Sequence, residues 1–282
     1  MSSSTTAPTI SVPRPGSTAG AALRTVLAMT ARDLRVMRHT FAMSAARILI
    51  QPLMFVFVFS YVLPELGQSA GGVGSGLTTV MLPGLIGSSL FLQGLAAVTF
   101  PLVMELSGPR AIEDRALAPV SVRLLGLQKI GSAALEGLVA GILVFPVVLL
   151  VHAAGRGPSV SFSRWPLLVV VLVSGSIFAA ALGMRLATWI DPRRIQVLFT
   201  LVMFPAMMLG CVYFGWTSLA HTRWLQILVL ANPMVYVDEG LRAALTPQVG
   251  HMSPWAFLPA LLVGAVGCAW LAVRSFARAV SR

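Results

Sequence analysis

A chain of 282 residues that is 57% hydrophobic and only 10% charged is not an ordinary soluble domain, in which about a quarter of residues carry charge. The mean hydropathy of +0.86 excludes a soluble protein with a large core, and several apolar runs exceed the ~20 residues that cross ~30 Å of hydrocarbon. The net charge of +11 would suggest nucleic acid in a soluble protein, but these bases sit in short connections between spans, where they set orientation, and no nucleic-acid partner is expected.

Residues 1–20 are rich in Ser, Thr, Pro and Gly without an apolar run, which reads as a disordered cytoplasmic tail. Residues 21–43 form an amphipathic helix. At 100° per residue Arg24, Arg35 and Arg38 share one face, with Arg32 at its edge, and Leu23, Val26, Leu27, Leu34, Met37 and Phe41 cover the other. That is the pattern of a helix lying among lipid headgroups, arginines toward anionic lipid. Asp33 projects from the apolar side; it either reaches sideways to water or meets a partner on a neighbouring cytoplasmic segment.

The apolar runs that follow are continuous rather than alternating, so the spans are helices and the fold is all-α and polytopic. The first span runs from Ser44 to Leu63, with Pro52 as a kink. A Gly-rich connection over Gly67 to Gly76 contains no Lys and is no phosphate cradle. The second span covers Leu77 to Met104, with Pro83 and Pro101 inside it. Residues 105–123 then crowd acids and bases together between two spans. Pro109 suits the first turn of a short polar helix, and Pro119 ends it. Such a helix has no core to join and is placed to meet something soluble.

The third span, Leu124 to Val151, contains Glu136. This acid either pairs with Lys129 or water near the cytoplasmic edge, or contacts a proton or substrate. Trp165 precedes the fourth span, Pro166 to Ile190, and Asp191-Pro192-Arg193-Arg194 makes a basic turn into the fifth, Ile195 to Tyr213. Residues 214–254 hold Trp216, Trp224 and Tyr236, with Trp255 just beyond, aromatics of the membrane–water interface. Leu225 to Ala231 is too short to cross, Asn232-Pro233 breaks it, and Met234 to Leu245 forms a second short helix carrying Asp238, Glu239 and Arg242. Two short helices with a break describe a re-entrant outer segment, which is tolerated only against protein or a water-filled cavity. The sixth span runs from Trp255 to Val273; the six-span domain extends over residues 44–275, and 276–282 are a cytoplasmic tail. With the N-terminus inside, sixteen of the 20 bases face the cytoplasm, and only Arg156, Arg164, Arg223 and Arg242 lie outside. Both termini and the 105–123 stretch are therefore cytoplasmic.

Catalytic motifs are missing. The single lysine, Lys129, follows Gln128 and belongs to no Gly-x-x-x-x-Gly-Lys-Ser/Thr loop. No His-Glu-x-x-His or Cys-x-x-Cys spacing is present, so no metal site is expected. Cys211 and Cys268 lie in apolar context and read as buried thiols without a disulfide.

Two motifs carry a family resemblance. Arg110-Ala111-Ile112-Glu113-Asp114-Arg115 runs into Leu117-Ala118-Pro119-Val120-Ser121, and Asn232-Pro233 is followed by Tyr236 and Glu239-Gly240-Leu241-Arg242. With six spans and the amphipathic helix, these resemble the membrane subunit of an ABC-2 type transporter, the class of daunorubicin-resistance-like and polysaccharide or lipid exporters; Ala116 stands where that family often has glycine. The resemblance implies an exporter permease in the bacterial inner membrane, not itself an enzyme. Two permease chains, identical or homologous, would pair, and two separate ATPase subunits would bind ATP and Mg. Residues 105–123 would be the coupling helix, with Arg110, Glu113, Asp114 and Arg115 as docking contacts and Pro119 shaping its exit. The path for an amphipathic drug, lipid or glycan-lipid would lie between the chains, lined by spans one, two and five, with the segment of Asn232, Pro233, Tyr236, Glu239 and Arg242 closing its outer end. Two other readings stand beside it. One is a proton-coupled secondary transporter using Glu136. The other is a lipid-modifying transferase with Asp238, Glu239 and His251 as outer acid/base groups.

Overall fold

The computed structural model describes residues 19–62, 76–107, 121–150, 158–191 and 194–280. Eight α-helices occupy them: α1 (Ala19–Phe57), α2 (Gly76–Ser107), α3 (Val122–Leu150), α4 (Trp165–Trp189), α5 (Ile195–Met208), α6 (Arg223–Leu228), α7 (Pro233–Leu245) and α8 (Pro254–Val280). No strand occurs among the described residues. In hydrocarbon a helix satisfies its own backbone, and the long apolar runs take that solution.

The amphipathic helix and the first span are not separate elements. They form one helix, α1, bent by 68° between Leu27–His39 and Phe41–Phe57. The bend falls just after Arg38, between the amphipathic half of α1 and its apolar half.

Helix α2 is the centre of the bundle. Leu82, Leu90, Phe91, Leu95 and Leu102 are buried along its whole length, and it packs against α3, α4 and α7. Close approach explains the α2–α4 contact: Gly183 of α4 lies against the Leu95 carbonyl, and the Thr99 hydroxyl donates to the Gly183 carbonyl at 3.1 Å. Small residues that let backbones touch are how helices associate without a hydrophobic driving force. Helix α8 covers α4 and α3 from the other side.

Four helices, α2 (over Thr79–Leu106), α3, α4 and α8, are long and apolar enough to cross a membrane, and the bent α1 makes a fifth. The sequence-based fifth span to Tyr213 is longer than the helix that forms. Helix α5 stops at Met208 after 14 residues, ~21 Å at 1.5 Å per residue, short of the ~30 Å core. Exposed tryptophans lie at helix ends: Trp165, Trp224 and Trp255 at or next to the first residues of α4, α6 and α8, and Trp189 at the last residue of α4, while exposed Trp270 lies inside α8. Trp216 and Tyr236 are instead partly buried.

Candidate functional site

The segment between α5 and α8 is built around a buried ion pair. A 3₁₀ turn (Trp216–His221), α6, a second 3₁₀ turn (Val229–Ala231) and α7 follow one another without crossing the bundle. Asn232 caps α7: its Oδ1 accepts from the Met234 amide at 3.1 Å, and Pro233 takes the first helical position, where no amide is needed. The same side chain donates from Nδ2 to the Ala206 carbonyl at 2.6 Å, tying the cap to the last turn of α5. The Tyr236 hydroxyl donates to the Leu230 carbonyl at 2.8 Å and holds the two short helices together.

Glu239 and Arg242 are fully buried and form an i,i+3 ion pair. The Glu239 carboxylate also accepts from the Trp216 amide at 2.8 Å and from the Met252 amide at 2.7 Å, so it pins the chain at both edges of the segment. Arg242 Nη2 donates to the Cys211 carbonyl at 2.9 Å and the Val80 carbonyl at 3.3 Å. Cys211 adopts φ = 59°, the left-handed region that a side chain disfavours. The end of the expected fifth span thus leaves the helix to turn its carbonyl toward a buried guanidinium. Gly240 is required between the pair because a side chain there would press on Val171 and Phe257. The Glu-Gly-x-Arg stretch is thereby a lock, joining α7 to the beginning of α2, the exit of α5 and the loop before α8.

Asp238 lies beside this lock, fully buried against Gly87 of α2, and neither carboxylate oxygen has a hydrogen-bond partner. Burial pushes its carboxyl well above the usual carboxylate range, against the opposing pull of Arg242. The expected outer-face acid/base role of Asp238 and Glu239 does not fit this arrangement: both are sealed from solvent, and the Glu239 oxygens are occupied by backbone amides and Arg242. His251 turns Nδ1 to the Met252 carbonyl at 2.9 Å.

A second polar feature lies deeper. A cavity of about 580 Å³ is walled by Arg47 and Gln51 of α1, Ser88 and Gln93 of α2, Glu136 of α3 and Phe199 of α5. Glu136 and Gln93 also border a neighbouring cavity of about 410 Å³ beneath the bent half of α1. Gln93 Nε2 donates to Glu136 at 3.4 Å. Lys129 is not its partner, a correction to the sequence-based pairing: the lysine reaches Glu105 at the end of α2, at 2.7 Å. Glu136 stands about two turns further along α3, ~10 Å deeper.

Asp33 has the neighbouring partner that was one of its two expected fates, on α3 itself. Gln128 Nε2 and the Ser132 hydroxyl donate to its Oδ2 at 2.8 and 3.0 Å. Gln128 and Ser132 were missed by sequence reasoning, although with Glu136 they form a polar stripe at four-residue spacing. Arg47, Gln51 and Gln93 were missed for a plainer reason, since single polar residues in apolar runs do not reveal which face they share. The docking candidates Arg110, Glu113, Asp114, Arg115 and Pro119 lie outside the described residues. Both cysteines are free thiols, Cys211 buried and Cys268 partly so.

A bundle of apolar helices bordering a cavity with polar walls, with the segment between α5 and α8 locked by a buried ion pair, fits a multi-pass membrane domain. The family model of the ABC-2 type transporter matches residues 24–246, and the chain belongs to that family as a permease of an ABC transporter. Permeases of this family work with ABC ATPase subunits. No curated protein sequence matches the chain.

Proposed function

We propose that the chain is the membrane subunit of an exporter that moves an amphipathic drug, lipid or glycan-lipid outward, powered by ATP and Mg bound on two separate ATPase subunits. The observation that carries this reading is the cavity walled mainly by α1 and α2, with Phe199 of α5 and Glu136 of α3, which includes the helices corresponding to spans one, two and five. Polar groups at its wall and apolar Phe100 and Phe199 beside them suit a cargo with a polar head and an apolar body. Two copies pair with α1 and α5 facing each other, α5 serving as a short fifth span. Both termini face the cytoplasm of a bacterial inner membrane, as the charge bias supports. The connection between α2 and α3, with Arg110, Glu113, Asp114, Arg115 and Pro119, docks on the ATPase. A short segment fixed to two spans transmits closure below into movement above.

The test is co-purification with the ATPase and hydrolysis by the complex in proteoliposomes. Glu113→Lys with Asp114→Lys lowers hydrolysis to the rate of the isolated ATPase while membrane insertion stays normal. Unchanged coupled hydrolysis in that double variant sinks the docking assignment. The proton-coupled alternative rests on Glu136 at the cavity wall; transport driven by a pH gradient without any ATPase would favour it.

A further inference from the structure

A different set of helices, α3, α4 and α8, forms a groove of about 780 Å³ on the outside of the bundle. Its walls are apolar, with Val170 and Val173 on α4 and Val266 on α8. Arg123 and Arg274 both line the groove, and the contact of nearby Gly126 with Val273 puts them at the same end of it. Helices α4 and α8 run in the same direction, since Phe178 meets Gly264 and Thr188 meets Ser275 at 3.1 Å. Helix α3 joins them at the arginine end, where Gly126 lies against Val273 and Phe276. The Arg274 guanidinium lies 3.6 Å over the exposed Trp270 ring, an interfacial residue type. Neither arginine has a carboxylate partner among the described residues.

The dimensions are those of one leaflet. Along α8 the lining runs from Leu262 to Arg274, roughly 18 Å at 1.5 Å per residue, against ~15 Å for half of a ~30 Å hydrocarbon core. An apolar slot of leaflet depth that ends in a tryptophan and two cations without a carboxylate partner among the described residues is complementary to a single kind of molecule. We propose that the groove holds an acyl chain of an anionic phospholipid, with the headgroup phosphate between Arg123 and Arg274. The slot alone accepts any chain; the arginine pair selects the charge. This site does not depend on the transport reading, only on the chain's being embedded in a membrane.

The experiment is native mass spectrometry of the purified full chain, titrated in detergent with phosphatidylglycerol or phosphatidylcholine. The expected result is retention of phosphatidylglycerol favoured by roughly ten- to thirty-fold, the scale of two basic residues at an anionic surface. Arg123→Gln with Arg274→Gln abolishes that preference. Val266→Trp, at an exposed position, keeps both arginines, fills the slot and lowers retention several-fold. Equal retention of the two lipids by the parent chain, a preference that survives the double substitution, or full retention in Val266→Trp overturns the assignment. So does efficient cross-linking of two copies through Leu262→Cys, which would make the groove an interface between chains.

Discussion

Arg242 and Glu239 pair with one another and with four backbone groups contributed by separate parts of the chain, while Arg242 Nε is buried without a partner. Removing one partner leaves the other charge buried without compensation, which costs about 3–5 kcal/mol. Arg242→Ala therefore lowers the melting temperature strongly and impairs export, while an ATPase docked as proposed through residues 105–123 stays bound; loss of the ATPase from this variant would contradict the placement. Replacing both partners by apolar residues is milder than Arg242→Ala alone, by a double-mutant cycle on melting temperature. Asp238 makes a pH prediction. Its carboxyl is harder to ionise folded than unfolded, so the folded state binds more protons and its stability falls as pH rises above about 4. Asp238→Asn keeps the shape and stays neutral. It melts higher than the parent at pH 7 to 8, and the gap closes toward pH 4. A gap that is constant with pH would mean that Asp238 carries no extra proton.

At the level of elements, the bent half of α1 is attached by Asp33. The carboxylate is the shared acceptor of Gln128 and Ser132 on α3, while the apolar residues beside it, such as Leu27 and Val36, remain exposed at the surface. Hydrogen bonds to a charged acceptor contribute about 1.5–3 kcal/mol each when buried, less at a partly open site. Asp33→Ala frees residues 27–39 from the bundle and raises their amide hydrogen exchange about tenfold, with exchange in α2 and α3 unchanged. Helix α5 illustrates a different balance. Its residues would continue helically toward Tyr213 on apolarity alone, but Arg242 needs the Cys211 carbonyl, and the left-handed turn at Cys211 supplies it.

For the whole molecule, α5 is the loosely held member. It makes few contacts with the rest of the bundle, and Val197, Leu201 and Phe204, which share one helical face, are 66–70% exposed. A second copy packed on that face would close the cavity of Gln93 and Glu136 from the open side. Leu201→Cys is expected to cross-link two copies in native membranes under mild oxidation. A chain that stays monomeric there, while cross-linking through α8, would relocate the dimer interface and with it the path.

Periodicity and apolar content were enough to establish a helical membrane protein. The Asn-Pro break was enough to locate the start of the short helix α7, because proline suits a first helical turn and not a helix interior. The run of small and apolar residues on α2 could not disclose that it is the central helix, since burial on all sides and contact with lipid look alike in composition. The roles within Asp238–Glu239–Arg242 were decided only by the tertiary structure. Besides each other, Glu239 and Arg242 have as partners the backbone amides and carbonyls of Trp216, Met252, Cys211 and Val80, and a backbone group has no signature in the sequence that contributes it. The same holds for Lys129, which had two acids within reach along the chain. Packing of α2 against α3 gave it Glu105 and left Glu136 to Gln93 at the cavity wall.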